Sequence, residues 1–510
     1  MGDTESYNLI ASRHRALAGF ALAAANFMVV LDLTIANVSV PHISGNLGIS
    51  PSQGTWVITS YAVAEAICVP LTAWISHRFG TVRTFVVSAL GFGLFSILCG
   101  MSVTLGMLVA CRIGQGLCGG PLVPLTQMLL MRIYPPEKRG QAMGMWGMTT
   151  MGGPALGPIL GGWISDNMSW HWIFFINVPV VVFCALTAFR LLSRVETATT
   201  RLPIDVVGLG LMILWIGALQ IMLDIGREHD WFADPTVLAL AVVALIGFAC
   251  FVIWELTEEH PIVDLKIFRH RGFTVGSLAL SLGFGSYFAG LVVVPQWMQL
   301  SLGYPATRAG FATALTAMAG MLVVRFQPVL AAKYDPRLIL SCGLIWVGSA
   351  TLIRAGWTSG ADFWTLALPQ LIMGLGVPFF FVTVMTTSLA AVPAKEIPSA
   401  ASLQNFVRTI ALAVATSISM TYWNDAARIS SSELAGKIQT DATTTTLVAN
   451  GFSADQARMI IAQLVDKEAL TLATDKMFLI TGGITILSTA LIWLAPRPKP
   501  QAAAAGVGMH

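Results

Sequence analysis

The chain has 510 residues, of which 55% are hydrophobic and only 11% charged, with a formal net charge of +3. Soluble domains carry roughly 25% charged residues, so a soluble enzyme is excluded. The small positive excess follows from where Lys and Arg fall between apolar runs and gives no reason to expect a nucleic-acid partner. All seven cysteines lie in or at the ends of apolar runs, a pattern that implies neither a disulfide framework nor a metal site.

Apolar stretches of about twenty residues, each long enough to cross a hydrocarbon core, recur along nearly the whole chain. About fourteen are expected, at 16–38, 53–75, 84–101, 105–130, 141–165, 172–192, 205–223, 236–255, 273–295, 308–330, 338–356, 364–391, 400–423 and 474–495. The class is therefore an all-α polytopic membrane protein. Basic residues cluster in alternate loops: Arg78 and Arg83; Arg132, Lys138 and Arg139; Arg190, Arg194 and Arg201; Lys266, Arg269 and Arg271; Lys333 and Arg337. The intervening loops hold little beyond Arg227, Arg308 and Arg354. Positive charge in short loops stays on the cytoplasmic side, which places both termini inside.

Residues 1–15 then form a cytoplasmic N-terminus, and the Pro- and Ala-rich 496–510 a disordered cytoplasmic tail. The longest outer loop is 424–472. Within it Ser453-Ala454-Asp455-Gln456 reads as a capping box. Ala457, Ile460, Ile461, Leu464 and Leu470 follow near helical spacing, which predicts a short amphipathic helix. That helix either lids the outer surface or meets a partner.

The fifth span holds the most unusual run, Gly147 to Gly162, G-M-T-T-M-G-G-P-A-L-G-P-I-L-G-G. Glycine and proline weaken a helix in water by roughly 1 and 3 kcal/mol each. In a bilayer small residues let helix backbones approach, and neighbours satisfy the carbonyls that proline frees. Gly153, Gly157 and Gly161 fall four apart on one face, and Pro158 introduces a bend. The run reads either as a packing seam or as a helix lying flush on its counterpart in another half of the molecule and flexing as the halves rock.

A repeat supports two halves. Tyr134-Pro135-Pro136-Glu137-Lys138 through Ala142 aligns with Val392-Pro393-Ala394-Lys395-Glu396 through Ala400, and Gly116 with Gly374, both 258 residues apart. Val40-Pro41, Leu47-Gly48 and Gly54 match Val294-Pro295, Leu302-Gly303 and Gly310 at 254 to 256. Parallel repeats of this kind mark transporters with a substrate site between the halves near the midplane. The expected organisation is a six-helix bundle at 16–192, two linker helices at 205–255 and a second six-helix bundle at 273–495.

Five charges are expected at membrane depth, each costing at least about 2.5–3.5 kcal/mol at a helix centre: Asp32, Glu65, Arg112, Arg325 and Arg408. Asp32 and Arg112 fall at similar depth on oppositely running helices. They read either as a structural ion pair or as a switch that loads and releases a proton when their separation changes. Glu65 is a second candidate carrier or a polar packing residue. Arg408 reads as a cavity residue or, like Arg325, as an anchor or helix cap. Thr34, Asn37, Gln115 and Asn405 are the polar groups expected in an otherwise apolar cavity.

These residues resemble the major facilitator superfamily, in its fourteen-helix drug:proton antiporter branch, over essentially the full length. Leu31-Asp32-Leu33-Thr34-Ile35-Ala36-Asn37-Val38 with Pro41 is similar to the first-helix signature of that branch. Leu108 through Gly120, with Arg112, Gln115 and Gly116, resembles the fourth-helix motif. Gly153, Gly157-Pro158 and Gly161-Gly162 resemble the antiporter motif. Trp170-His171-Trp172-Ile173-Phe174-Phe175-Ile176-Asn177-Val178-Pro179 resembles a stretch at the start of the sixth helix, and Asn405-Phe406 with Arg408 one in the thirteenth.

The resemblance implies proton coupling through Asp32 and Arg112 and export of amphipathic compounds. It further implies a bacterial inner-membrane location, and a periplasmic adaptor and outer-membrane channel as partners in a tripartite pump. One departure stands out. The corner after the second span has Ala73 and His77 where the family pattern has a glycine and an acid before Arg78-x-Gly80, and the family's acid takes part in a charge relay that closes the cytoplasmic side; Arg78 and Arg83 read either as groups that bond carbonyls at a helix C-terminus or as positive-inside anchors. The latch is thereby in doubt, and His77 predicts a pH-sensitive corner.

No Gly-x4-Gly-Lys-Ser/Thr phosphate loop occurs, so the expected energy source is the proton-motive force, with no cofactor. One charge moved is worth about 2.3 kcal/mol per 100 mV, enough for roughly a fiftyfold substrate gradient. Three alternatives stay open at this point. They are a narrow exporter of fatty acids or other lipophilic metabolites, uptake by symport, and a membrane-embedded enzyme, for which no nucleophile–base or metal-ligand cluster is evident.

Overall fold

The computed structural model describes residues 12–135, 138–200, 203–226, 229–393, 396–437, 440–450 and 452–496. The tail beyond Pro496, Arg227 and parts of both Pro-containing repeat loops lie outside the described residues. All regular structure among the described residues is helical. The first half comprises α1 (Ser12–Leu47), α2 (Pro51–Phe79), α3 (Thr81–Gly100), α4 (Leu105–Gly119), α5 (Leu122–Ile133), α6 (Arg139–Asn167), α7 (Trp172–Phe175) and α8 (Asn177–Leu192). Between the halves in the chain come α9 (Val206–Ile225) and α10 (Pro235–Thr257). The second half comprises α11 (Arg271–Leu300), α12 (Ala306–Val323), α13 (Gln327–Lys333), α14 (Pro336–Ile353), α15 (Phe363–Ala390), α16 (Ile397–Lys437), α17 (Thr440–Ala449) and α18 (Ala454–Ile492).

Each expected span coincides with helix. The stretch expected as one span at 105–130 is split into α4 and α5 at Gly120-Pro121, because proline has no N–H to continue the ladder. Twelve helices among the described residues are long and apolar enough to cross a membrane. The expected spans at 141–165 and 400–423 are not among them, although both are helical, as α6 and α16. Their glycines, threonines and buried amides dilute the apolar content, and both helices lie where the two halves meet.

Polar caps mark the helix starts. Ser50 and Ser453 form capping boxes with Gln53 and Gln456, Thr104 caps α4, and Asp205, Asp234, Asp335 and Asp362 cap α9, α10, α14 and α15. Each meets backbone donors that a helix start leaves without partners. Asp205 also accepts the Trp254 indole N–H at 2.9 Å, tying α9 to α10.

The outer segment departs from expectation. The expected short amphipathic helix is the start of α18, which runs unbroken for 39 residues into the last span, while α16 runs for 41. At 1.5 Å per residue each is about 60 Å long, roughly twice a hydrocarbon core.

The halves use the same close packing twice. A Cβ on Gly116 of α4 would meet the Tyr61 carbonyl of α2 at 2.5 Å and the Ala64 Cβ at 2.9 Å. One on Gly374 of α15 would meet the Thr316 carbonyl of α12 at 2.2 Å and the Ala319 Cβ at 2.9 Å. Between the halves α6 packs on α12 and α15, and α16 packs on α2 and α5. The inserted α9 lies against both α2 and α16.

Candidate functional site

Asp32 on α1 and Arg112 on α4 are wholly buried. Arg112 Nη1–H donates to Asp32 Oδ2 at 2.5 Å and to Gln115 Oε1 at 2.8 Å, while its Nε–H donates to the Val57 carbonyl at 2.9 Å. The second carboxylate oxygen, Asp32 Oδ1, accepts from Asn177 Nδ2 at 2.7 Å and from Gln115 Nε2 at 3.1 Å. Ser96 Oγ accepts from both amides, at 2.7 Å and 3.3 Å. The guanidinium carbon lies 4.2 Å from the Tyr61 ring centroid, and Nη2 has no hydrogen-bond acceptor among the described residues.

Five helices of the first half, α1, α2, α3, α4 and α8, thus converge on one ion pair and the amides around it. Sequence reasoning named the two charges and Gln115 but assigned no site role to Ser96, Asn177 or Tyr61, since small polar and aromatic residues are ordinary in membrane helices. Removing one member of a buried pair costs about 3–5 kcal/mol, so the hub is stable only while both charges persist. A proton on Asp32 would remove the charge that holds Arg112 and leave the guanidinium to seek another acceptor.

A second polar group sits at the boundary of the halves. Glu65 on α2 is buried, and no ion pair includes it among the described residues. The Arg408 guanidinium on α16 is buried too, and no ion pair includes it among the described residues. It lies 5.6 Å from the ring of Trp146 on α6 and 5.6 Å from that of Phe284 on α11. Phe381 of α15 stacks on both rings, at 6.1 Å and 5.2 Å. Asn405 Nδ2 donates to Gln127 Oε1 on α5 at 2.7 Å, directly across the boundary.

Of the groups expected in the cavity, Asn405 and Arg408 therefore stand at the boundary, whereas Gln115 belongs to the buried hub. The Thr34 hydroxyl is engaged between helices, within bonding reach of the Leu31 and Gly153 carbonyls at 3.0 Å and 3.2 Å. Asn37 is exposed on α1.

The glycine face of α6 corrects an expectation. It lies on α1 of its own half and not on a counterpart in the other. A Cβ on Gly153 would meet the Leu31 nitrogen at 3.0 Å, one on Gly157 would meet Thr34 Oγ1 at 2.1 Å, and one on Gly161 would meet the Ile35 carbonyl at 2.9 Å. Gly162 has nothing within 4 Å. The other half touches α6 elsewhere: a Cβ on Gly310 of α12 would meet Ile159 at 2.9 Å and Pro158 at 3.5 Å.

With this geometry established, comparison with known proteins places the chain. The Major Facilitator Superfamily model matches residues 22–416. The multidrug export protein EmrB of Escherichia coli K12 is 42% identical over 96% of this chain and 97% of its own. The chain belongs to the Major Facilitator Superfamily. The fatty acid resistance protein FarB of Neisseria gonorrhoeae is 41% identical over 94% of this chain and 95% of its own. Among solved structures, a bacterial homologue of the human lysosomal transporter Spinster, inward-facing and unoccupied, matches with a TM-score of 0.53 at 15% identity. The match covers 96% of this chain and 100% of that one and bears on the fold alone.

At the corner where this superfamily member lacks the acid, a carboxylate arrives from elsewhere. Glu196, after α8, accepts the backbone N–H groups of Val82 and Arg83 at 2.9 Å each, and Thr197 Oγ1 accepts that of Thr81 at 2.9 Å. An anion at a helix N-terminus is favoured by the helix dipole. Gly80 turns the corner at φ +93°, and a Cβ there would meet the Glu196 carboxyl carbon at 2.6 Å. The His77 carbonyl accepts from Thr200 N–H at 2.8 Å, and its side chain lines a cleft of about 250 Å³ with Trp74, His260 and Lys266. Arg78 lies over the Trp74 and Phe79 rings.

Two remaining arginines differ from expectation or lie apart. Arg325 is exposed in a 3-10 turn after α12. Arg354, expected in an outer loop, is buried in the second half, donating to Gln370 Oε1 at 3.2 Å and Thr351 Oγ1 at 3.0 Å. Its guanidinium lies 4.5 Å from the Phe478 ring, whose face stabilises a cation away from water. Sequence position alone hid this, because Arg354 stands just beyond the last residue of α14.

Proposed function

We propose that the chain is a proton-coupled antiporter that exports amphipathic drugs or toxic compounds across a bacterial inner membrane by alternating access. The observation that carries this reading is the buried Asp32–Arg112 pair, whose other partners are all neutral and all belong to one half. A single proton therefore decides whether the hub is closed. With Asp32 charged, Arg112 is fixed on it. With Asp32 neutral, the pair loosens, α1 and α4 are released from each other, and the strain passes along the α1–α6 seam to the boundary with α12 and α15.

Both termini are assigned to the cytoplasm on the alternation of basic loops. Protons would then enter from the opposite side and leave inward, supplying about 2.3 kcal/mol per 100 mV for each charge moved. The likeness to a multidrug export protein supports amphipathic substrates. The long α16 and α18 with α17 between them support a docking platform for a periplasmic adaptor, and through it an outer-membrane channel.

The deciding experiment is dye extrusion from proteoliposomes under an imposed pH gradient, comparing the parent with Asp32→Asn, Glu65→Gln and Arg112→Ala. Gradient-dependent extrusion lost in Asp32→Asn supports antiport through the hub. Survival in Asp32→Asn with loss in Glu65→Gln moves the proton site to α2. A correctly inserted parent that moves no member of a broad dye panel overturns the multidrug reading.

A further inference from the structure

The junction of α9 with α10 holds two carboxylates that the proposed transport cycle does not use. Glu255, near the end of α10, is wholly buried. Its Oε2 accepts the Val263 N–H at 3.1 Å, but Oε1 has no hydrogen-bond partner among the described residues. Asp205, at the start of α9, is well supplied with donors. Its Oδ1 accepts the Gly208 N–H at 2.8 Å, and the Trp254 indole nitrogen lies 3.0 Å from Oδ1 and 2.9 Å from Oδ2. The two side chains meet over Gly208. A Cβ there would lie 2.2 Å from Asp205 Oδ2 and 2.6 Å from Glu255 Oε1, so these oxygens are within about 5 Å of each other, where two charges shielded from water repel strongly. Neither carboxylate joins an ion pair among the described residues. The other charged groups close by are Glu258, one turn on in α10, and those of the segment 258–270 that follows. There Lys266 donates through Nζ to the Glu258 carbonyl at 3.3 Å, Asp264 accepts the Lys266 N–H at 3.1 Å, and Arg269 is turned onto Glu396.

Two carboxylates facing each other in a closed site are stable when one of them keeps its proton. A carboxyl group at Glu255 turns the unpartnered Oε1 into a donor, and Asp205 Oδ2 is the acceptor that faces it. We propose that Glu255 and Asp205 share one proton, and that this proton site clasps the segment 258–270 onto α9 and α10. The clasp acts through Glu255 Oε2 on the Val263 backbone, beside the buried side chains of Ile262, Val263 and Ile267. From there the segment reaches both halves. Arg269 and His270 meet Glu396, ahead of α16, at 2.7 Å and 3.0 Å, while His260 and Lys266 line the cleft shared with His77 of α2 and Ser399 of α16. While the proton is bound, the segment is held. As pH rises and the proton leaves to water, two like charges face each other, Glu255 turns away, and Val263 loses its acceptor. No bond between heavy atoms forms or breaks, and the site is separate from the Asp32–Arg112 pair.

The test is hydrogen–deuterium exchange of full-length protein in nanodiscs, read as protection factors so that the intrinsic pH dependence of exchange is divided out. In the parent, amides of 258–270 are expected to lose about tenfold in protection between about pH 6 and about pH 9, while those of α3 stay unchanged. Glu255→Gln supplies an amide that donates to Asp205 and still accepts from Val263, so protection should stay high throughout. Asp205→Asn removes one charge of the pair and should flatten the profile too, which keeps the test decisive if Glu255→Gln does not fold. Glu255→Ala should lower protection at every pH, because Val263 then has no acceptor. A flat parent profile overturns the proposal. So does a parent-like profile in Glu255→Gln or Asp205→Asn, since loss through the His270–Glu396 pair would survive both substitutions. Protection that follows added sodium or magnesium chloride at constant pH also overturns it, because the carboxylates then hold a metal cation in place of a proton.

Discussion

At the residue scale, one carboxylate with a full set of partners governs the first half. Asp32 and Arg112 were legible in the sequence because a charge inside an apolar run is costly and so stands out. Asn177, Ser96 and the Val57 carbonyl were not, because the sequence does not say which of many small polar groups turn toward a buried charge. Asn177 makes the shortest amide bond to Asp32, at 2.7 Å. Replacing it with Val removes a donor from a buried anion and is expected to destabilise the protein by about 1–3 kcal/mol. Dye extrusion by Asn177→Val should fall below that of the parent, because Asp32 Oδ1 loses one of its two amide donors. An unchanged rate of extrusion would remove Asn177 from the hub's function.

The cap at the α2–α3 corner belongs to the same scale. Glu196→Ala leaves the Val82 and Arg83 donors without their acceptor, at an expected cost of about 1 kcal/mol or somewhat more. Glu196→Gln should recover part of it, because an amide oxygen can still accept. Melting temperatures of the two variants in detergent decide the order. The sequence pointed to a missing acid at this corner but could not supply Glu196, which is more than a hundred residues away in the chain.

At the element scale, the α6 motif divides into positions that touch α1 and one that does not. Gly157→Ala drives a Cβ against Thr34, whose hydroxyl would lie 2.1 Å away. It should cost about 1–3 kcal/mol by overpacking. Gly162→Ala meets nothing within 4 Å and should be neutral or stabilising by up to about 1 kcal/mol through helix propensity. Equal melting shifts for the two would refute the assignment of this seam. Four-residue spacing was enough to predict a close-packed face, but the spacing of one helix does not name the helix it meets. The glycine face meets α1, as a packing seam would, while α6 meets the other half through Pro158 and Ile159.

At the scale of the whole molecule, helix existence followed directly from the apolar runs, because a bilayer demands internally satisfied backbone over a set length. The spaced Gly and Pro pairs suggested a repeat in the sequence, and two of the glycines, Gly116 and Gly374, each make a close contact with a neighbouring helix. Helices at the centre were the hardest to read by hydropathy: α6 and α16 trade apolar content for polar and small residues. The inserted pair shows the reverse, with only 22% of the most apolar window of α10 buried, against 72% for Leu105–Ile133. Exposed apolar positions such as Leu245 and Ile253 on α10 should therefore tolerate other aliphatic residues with melting shifts near zero, whereas a Lys at Leu245 should cost about 2.5–3.5 kcal/mol if that position sits near the bilayer centre.

The inserted α9 lies over the line where α2 of one half meets α16 of the other, held by the Ser417 hydroxyl on the Leu223 carbonyl at 2.9 Å and by Trp215 against Phe406 at 6.0 Å. The opposite line, where α6 meets α12, has no such cover among the described residues. A molecule dissolved in the lipid leaflet would then approach the boundary of the halves more readily along α6 and α12 than along the side that α9 covers. Lipophilic cargo should be gathered from the membrane sideways and from a single flank, so a photoreactive lipid-soluble probe is expected to label exposed residues of α12, Met318 and Met321 among them, in competition with substrate.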